Sequence, residues 1–253
     1  MAASNAQLQL VLPRPLDEAE AEHPPSPPGS LRAMPGGKAS PSPRWPDAID
    51  PAELLKWGVR RGARASPPSG AFSLHNLQGR LTELSAKGAT SALTMAFQLI
   101  LEAQEEGESC AWVSFGPSTF FAPDAAEGGV DLSALPVVRA QTLRQALRAA
   151  DHLARSGAFG LLVLDLGRAT ELPAAILTRL TGQAAHHRAA VVLLTSKDQN
   201  SPSMSSLVSL RGQVERTRLG PGRFACGLKA IKDKRTGPGW SFEEVCRGPT
   251  GLR

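Results

Sequence analysis

The residues best suited to chemistry lie in the segment SAKGATSA, residues 85–92, which brings a lysine, a glycine and hydroxyl side chains together. These residue types bind nucleotide phosphates in a P-loop, where glycine N–H groups wrap the phosphates, a lysine reaches the β/γ oxygens and a Ser or Thr hydroxyl binds Mg²⁺. The positions concerned are Lys87, Gly88, Ala89 and Thr90. Their order does not fit a P-loop, because Ala89 stands where the lysine would lie between glycine and threonine.

A carboxylate that could direct Mg²⁺ follows downstream. Asp165 closes the apolar run FGLLVLDL, residues 159–166. A carboxylate that directs Mg²⁺ acts only on a bound nucleotide, and the loop at 85–92 does not fit one. We therefore expect Asp165 to have a structural role, as a strand-end carboxylate that is retained by the fold or hydrogen-bonded to the turn at 88–91. We expect Lys87 to be a solvent-facing loop lysine. The sequence therefore predicts a degenerate nucleotide site with no catalytic residue and no cofactor.

Other catalytic or metal-binding arrangements are not predicted. Cys110, Cys226 and Cys246 are not at CxxC or CxxxH spacing, so we expect buried free thiols. His186 and His187 have no Cys or acidic residue at ligand spacing, which favours an exposed helix end. No GxSxG motif places a nucleophile beside a base. We therefore predict neither a metal site nor a hydrolytic triad.

A cluster of basic residues follows position 210. Its members are Arg211, Arg216, Arg218, Arg223, Lys229, Lys232, Lys234 and Arg235. On alternating strands, Arg216 and Arg218 share one face, as do Lys232 and Lys234, which would allow a basic stripe. The stripe is either a solvated face or a weak, salt-sensitive contact for DNA or an acidic protein. Only Phe224 alternates with these charges, so base stacking lacks support.

Composition divides the chain into two parts. Of its 21 prolines, 13 fall within residues 1–70, a stretch that is also rich in Ser, Gly and Ala. Such a segment buries too little apolar surface to offset its conformational entropy. We predict a disordered Pro-rich tail over 1–46, a short helix and linker over 47–70 and a folded domain over 71–253.

The predicted short helix ends near Trp57 and presents Leu54 and Leu55 beside it. These three side chains either pack on the domain or anchor a partner.

The formal net charge of +5 is too small to indicate nucleic acid by itself. No stretch approaches the roughly 18 apolar residues of a membrane span, and the first residues lack the pattern of a secretory leader, so we expect a cytoplasmic protein.

From Gly79 onward, apolar strands alternate with amphipathic helices. The predicted elements are Arg80–Ser85, Leu93–Glu106, Ser109–Phe115, Thr142–Ser156, 159–166, Pro173–His187 and 190–195. Strands that are apolar throughout are typical of a parallel sheet covered on both faces. Alternating strands at Gln213–Leu219, Phe224–Ile231 and Ser241–Arg247 predict hairpins at one edge. The predicted fold class is α/β, a mainly parallel twisted sheet flanked by helices, with C-terminal antiparallel hairpin strands.

Five segments, in order, resemble the RecA recombinase core. They are GRLTEL (79–84), EAQEEGESCAWVSF (102–115), GGVDLSAL (128–135), QALRAADHLARSGAFGLLVLDL (145–166) and LKAIKDKRTGPG (228–239). The resemblance implies a RecA-like ATPase fold in which a glutamate follows the second strand and orients the attacking water. This chain has Gly116 and Pro117 near that position. We therefore expect a RecA-like domain that does not hydrolyse ATP.

Three stretches also resemble the ImuA family of RecA-related accessory proteins, namely residues 81–84, 111–135 and 155–166 together with the degenerate loop. This resemblance implies a role in damage-induced (SOS) mutagenesis and translesion DNA synthesis. It implies action through binding RecA and an ImuB-type Y-family polymerase homologue, without catalysis.

The segment from Lys197 to Arg211 is short compared with the two DNA-binding loops that the recombinases insert there, so filament-type strand exchange is not expected. Two alternatives stay open. One is a RecA paralogue that binds ATP as a switch through Lys87, Thr90 and Asp165. The other is a DNA-binding module that uses the basic cluster.

Overall fold

The helices and strands form largely where the apolar runs and capping residues predict them. The computed structural model describes residues 72–88, 91–116, 120–169 and 171–247. The helices are α1 (Leu74–Leu77), α2 (Ala92–Glu105), α3 (Ala122–Glu127), α4 (Leu143–Ser156) and α5 (Ala174–His187), with a 3₁₀ turn at Leu132–Ala134. The strands are β1 (Arg80–Ser85), β2 (Cys110–Phe115), β3 (Val137–Ala140), β4 (Leu161–Gly167), β5 (Ala190–Thr195), β6 (Leu210–Gly220), β7 (Arg223–Asp233) and β8 (Ser241–Arg247).

The strands of the described ranges form one sheet in the order β3-β2-β4-β5-β1-β6-β7-β8. Pairing is parallel from β3 to β6 and antiparallel from β6 to β8. The predicted fold class is confirmed. The connection from β1 to β2 passes over β5 and β4, and open α/β sheets bind ligands outside the carboxyl ends of strands at such switch points.

Each face of the sheet has its own apolar core. On the side covered by α2, hereafter the α2 face, Phe97, Trp112 and Phe120 form an aromatic group with ring centroids 5.1–5.7 Å apart. On the other side, hereafter the α4/α5 face, Leu147 of α4 and Leu177 of α5 pack against the strands. Burial on both sides explains why the central strands are apolar throughout.

Helix α4 has both of its termini specified locally. Thr142 accepts a hydrogen bond from the N–H of Gln145, whose side chain returns to the Thr142 N–H, which forms a capping box. Gly157 adopts φ +67° and ends the helix, as predicted. These caps define where α4 begins and ends, and the packing of its apolar side against the sheet decides which of its side chains face solvent.

A buried ion pair joins the antiparallel hairpins to the parallel core. Arg80, at the start of β1, places Nη2 2.5 Å from the carboxylate of Asp233 at the end of β7, and both side chains are at most 3% exposed. Asp233 also accepts hydrogen bonds from the Thr236 hydroxyl and the Trp240 indole N–H. Arg80 donates from Nε to the Ser209 hydroxyl. Both charges are therefore paired and hydrogen-bonded, as burial requires.

The structure adds four elements that were not predicted: α1, α3, the 3₁₀ turn at Leu132–Ala134 and β3. The predicted tail over 1–46, the helix and linker over 47–70, and Leu54, Leu55 and Trp57 lie outside the described residues. None of the helices in the described ranges has the length and apolar character needed to cross a membrane.

Candidate functional site

The predicted nucleotide-binding turn joins β1 to α2 at the carboxyl ends of the parallel strands. Directly after β1, the N–H of Ala86 donates to the Thr195 carbonyl on β5 at 3.0 Å. Gly88 adopts φ +78°, which favours glycine. Ser91, fully buried before α2, donates its hydroxyl to the Glu215 carbonyl on β6 at 2.8 Å. The turn is therefore anchored on both neighbours of β1.

Lys87 lies on the outside of this turn. Its side chain is 77% exposed, and Nζ is 3.7 Å from the carboxylate of Asp198, which is 44% exposed. Hydrogen bonds from the hydroxyl and N–H of Ser201, and the charge of Lys87, hold the pKa of Asp198 below its usual value. Such exposed pairs contribute little to stability. Ala89 and Thr90 lie outside the described residues.

Asp165 lies on β4, near the carboxyl edge of the sheet, and is 8% exposed. In register it neighbours Ser114 of β2 and Leu194 of β5. Ser114 is 1% exposed, and its hydroxyl makes no hydrogen bond within the described part of the chain. In that same part, no group of three or more His, Cys, Asp or Glu side chains is placed to hold a metal ion.

Arg211 belongs to the interior, and its prediction as a DNA or partner contact is wrong. It is 2% exposed, and Nε donates to the Ser85 hydroxyl at 3.2 Å. Its Nη2 donates to the Asp198 carbonyl at 2.7 Å, and its Nη1 donates to the Ser201 carbonyl. Arg211 therefore holds the loop that follows β5 against the end of β1.

A second buried charge fixes the same loop, and it was not predicted. Glu83 of β1 is fully buried and lies 3.3 Å from Nζ of Lys197, whose side chain is 10% exposed. The Thr195 hydroxyl and the Met204 N–H donate to its carboxylate at 3.0 and 2.8 Å. An acidic residue within the apolar strand RLTELS was the available sequence signal, because a buried carboxylate needs partners.

The remaining predicted basic residues are divided between the two faces of the hairpin sheet. Arg216 and Arg218 follow the buried Val214 in alternation, so they lie on the α2 face. Lys232 pairs in register with Arg211 and lies on the other face. Strand β7 ends before Lys234, so the alternation does not extend to it. The cluster does not form one stripe.

Two of these cations already have partners within the domain. The Arg216 guanidinium lies over the Phe224 ring, 4.7 Å from its centroid. Lys232 donates from Nζ to the carbonyls of Ser205 and Ser206 at 3.3 and 3.2 Å, and burial lowers its pKa. Lys232 therefore supports the loop after β5, as Arg211 does.

Arg235 is also used structurally. Its guanidinium donates to the carbonyls of Asn76 and Gln78 at 3.1 and 2.9 Å, while burial and the nearby Arg80 lower its pKa. The remaining cations of the cluster are exposed: Arg218, Arg223, Lys229 and Lys234. Exposed acids lie on the same strands: Glu215, Glu243 and Glu244. The hairpin surface is therefore of mixed charge.

The cysteines and histidines largely have the burial that the sequence predicts, but Cys246 and His187 differ from it. Cys110 and Cys226 are buried free thiols, whereas Cys246 is only half-buried. Burial raises the pKa of Cys110 to about 11 and that of Cys246 to about 12, the latter with help from a hydrogen bond to Cys226. His186 is exposed and His187 half-buried at the end of α5.

Comparison with known proteins matches residues 73–195 to the RecA N-terminal domain. Proteins named Protein RecA from Rhodospirillum rubrum, Teredinibacter turnerae and Agrobacterium fabrum are each 38% identical to this chain over 88 residues, which is 35% of the chain. The aligned part spans only 24–25% of the length of these relatives. The matched segment contains β1 to β5, including the turn with Lys87 and the strand with Asp165.

Proposed function

Since residues 73–195 match the RecA N-terminal domain, we propose that the chain is a non-catalytic RecA-like accessory protein of SOS mutagenesis and translesion DNA synthesis. It acts by binding RecA, an ImuB-type Y-family polymerase homologue, or both. The observation that carries the non-catalytic part is the position of Lys87. A P-loop lysine must reach the nucleotide phosphates, whereas Lys87 is 77% exposed and pairs with Asp198.

Two further features support the absence of ATP hydrolysis. The sequence has Gly116 and Pro117 after β2, near the position where the RecA resemblance implies a water-orienting glutamate. The loop after β5 is fixed to β1 by the buried side chains of Glu83 and Arg211. The turn and loop around the degenerate site are therefore held by internal contacts that need no nucleotide.

Exposed apolar side chains support a role in protein binding. Phe121 is 57% exposed at the start of α3, and Leu132 is 39% exposed on the 3₁₀ turn that precedes β3. Strand β3 is an edge of the sheet, so one side of its backbone is unpaired. Aromatic side chains that become buried are typical anchors of protein interfaces. This edge is our candidate surface for the partner.

The test is co-purification of the full chain with RecA and with the ImuB-type subunit, after nuclease treatment. We expect capture of at least one of them, and we expect Phe121→Ala to weaken it. Val245→Ala is the matched control, because Val245 is 47% exposed on β8 at the opposite edge of the sheet. Variants of Leu54, Leu55 and Trp57 test the predicted partner helix. Capture of neither protein contradicts the proposal.

A calorimetric titration with ATP and Mg²⁺ tests the non-catalytic part separately. We expect no binding at micromolar concentration and no turnover above background. ATP turnover that disappears in Asp165→Asn would contradict the proposal and favour an ATP-dependent switch that uses Lys87, Thr90 and Asp165.

A further inference from the structure

Exposed arginines are concentrated in one segment of the chain, and those on α4 and α5 do not belong to the partner surface proposed above. Residues 139–188 contain no lysine, and all their arginines are exposed: Arg139, Arg144, Arg148, Arg155, Arg168, Arg179 and Arg188. The acids of this segment are Asp151, Asp165 and Glu171, of which the first two are buried. Glu171 is therefore the one exposed acid among the described residues of this segment.

Three of these arginines form a row along α4. The apolar side of the helix packs into the α4/α5 face through Ala146, Leu147 and other buried residues. Arg144, Arg148 and Arg155 lie along one exposed flank of the helix, within a sector of about 40° at the usual helical rotation. At a rise of about 1.5 Å per residue, the row is about 16 Å long.

A buried carboxylate orders one end of this row. Asp151, with a side chain 11% exposed, is 2.8 Å from Nη2 of Arg155 and 2.9 Å from Nε of Arg179 on α5. Two arginines share one acid, so the group keeps a net charge of +1. The side chains of Arg155 and Arg179 are 58% and 44% exposed, which leaves guanidinium N–H donors facing solvent in fixed positions.

Arg144 and Arg148 make no ion pair with any acid of the described ranges, although both are exposed. Their charges, added to that of the Asp151 group, give this face a formal charge of about +3 at neutral pH. Unpaired arginines in a row repel one another, and a polyanion that lies along the row relieves that repulsion.

The chemistry of the face favours nucleic acid over protein. Protein interfaces usually bury aromatic or other large apolar side chains at their centre. The large apolar side chains that are exposed in the described ranges are Phe121, Leu132, Leu219 and Val245, and none lies on α4 or α5. Arginine binds phosphate oxygens in pairs through its planar guanidinium.

We propose that α4, with Arg179 of α5, binds the phosphate backbone of double-stranded DNA without sequence specificity. Single strands are usually held by stacking of bases on aromatic rings, and neither α4 nor α5 contains an aromatic residue other than histidine. A duplex carries about one charge per 1.7 Å of axis when both strands are counted, so the stretch of duplex that lies along a row of about 16 Å carries roughly ten phosphate charges.

The test is fluorescence anisotropy of a labelled 20-base-pair duplex, which at about 3.4 Å per base pair is about four times as long as the row, titrated with the full chain over a series of NaCl concentrations. For the variant Arg144→Gln/Arg148→Gln, we expect weaker binding and a salt slope, log K against log[NaCl], that is smaller by about 2. The conservative variant Arg144→Lys/Arg148→Lys should keep most of the slope. Circular dichroism melting should show unchanged folding, since both side chains are exposed.

The matched control is Arg216→Gln/Arg218→Gln, which removes two exposed charges from the hairpin. It should leave the slope nearly unchanged. Three results would overturn the proposal. The first is that the full chain binds no duplex at low salt, the second is that the hairpin variant loses duplex binding while the α4 variant keeps it, and the third is that the protein binds polyglutamate in preference to the duplex. RecA capture by the α4 variant distinguishes a failure of this proposal from a failure of the proposed partner binding. The β3 edge is unchanged in that variant, so its capture of RecA reports on partner binding alone.

Discussion

Substitution of Asp233 by alanine should destabilise the domain strongly. Asp233 neutralises the buried guanidinium of Arg80 at 2.5 Å and also accepts hydrogen bonds from Thr236 and Trp240. The substitution leaves an unpaired positive charge in the interior and removes the acceptor for three other donors, the Arg235 N–H among them. It also breaks the polar connection between the end of β7 and the start of β1.

The magnitude follows from that burial. Removing one partner of a buried ion pair costs about 3–5 kcal/mol, because the other charge is left uncompensated. For a domain of this size, about 1 kcal/mol corresponds to a shift in Tm of roughly 2–4 °C, so the expected decrease is about 6–20 °C. Surface substitutions that remove the same charge are usually within about 0.5 kcal/mol of neutral. Glu243→Ala on the exposed face of β8 is therefore the matched control.

The free energy of unfolding also depends on pH through Asp233. Burial raises the pKa of its carboxyl, but hydrogen bonds from Thr236, Arg235, Trp240 and Arg80 outweigh burial and leave the pKa below its usual value. A lowered native pKa contributes stability that is present above the unfolded pKa of about 3.9 and is lost as the pH falls through the native value. The difference between wild type and Asp233→Ala should therefore narrow below about pH 4.

Urea unfolding of the full chain, followed by far-UV circular dichroism at neutral pH and again at acidic pH, measures both effects. The combined variant Arg80→Ala/Asp233→Ala should lose less than the sum of the single variants, because the two side chains interact. A loss below about 1 kcal/mol for Asp233→Ala at neutral pH, or strict additivity in the double variant, would refute this explanation.

Three further predictions concern the core, a helix cap and the thiols. Gly212→Ala places a Cβ 2.8 Å from side-chain carbons of Leu228, so thermal unfolding should show a loss of about 1–3 kcal/mol, and an unchanged Tm would contradict the close packing. Thr142→Ala removes the capping box of α4 and should cost about 0.5–2 kcal/mol in urea unfolding, with Thr142→Ser as the control that retains the cap. The raised pKa values of Cys110 and Cys246 predict slow reaction with a thiol reagent at pH 8, which becomes fast in denaturant; rapid labelling of the native protein would show that these thiols are accessible as thiolates.

The strands and helices were largely predictable from the sequence, since their signals are local. Strands β1 and β5 have the predicted bounds, and the predicted Gly157 cap ends α4. Strand β3 was missed because VVRA is only four residues long, and all four are at least partly exposed at the sheet edge. A stretch this short gives no apolar period to recognise.

The polar connections could not be predicted, because they depend on pairing between distant residues. Arg211 contacts Ser85 across 126 positions, and its sequence neighbours gave no sign of burial. The face of Lys232 depends on a register shift between β6 and β7: Arg211 pairs with Lys232, whereas Gly212 pairs with Ala230. One unpaired residue in a bulge reverses which side chains share a face. The exposed arginines of α4 were visible in the sequence, but the sharing of Asp151 between Arg155 of α4 and Arg179 of α5 becomes apparent only once α5 is in place.

The most direct measurement of the central claim is capture of RecA and of the ImuB-type subunit by the full chain, compared between wild type and Lys87→Ala, in the presence and absence of ATP. Lys87→Ala should fold normally, because the side chain is 77% exposed and its pair with Asp198 contributes little. We predict equal capture of at least one partner by both proteins, with no need for ATP bound to this chain. Capture of neither partner, or capture that is lost in Lys87→Ala, would contradict a RecA-like protein that works through binding alone.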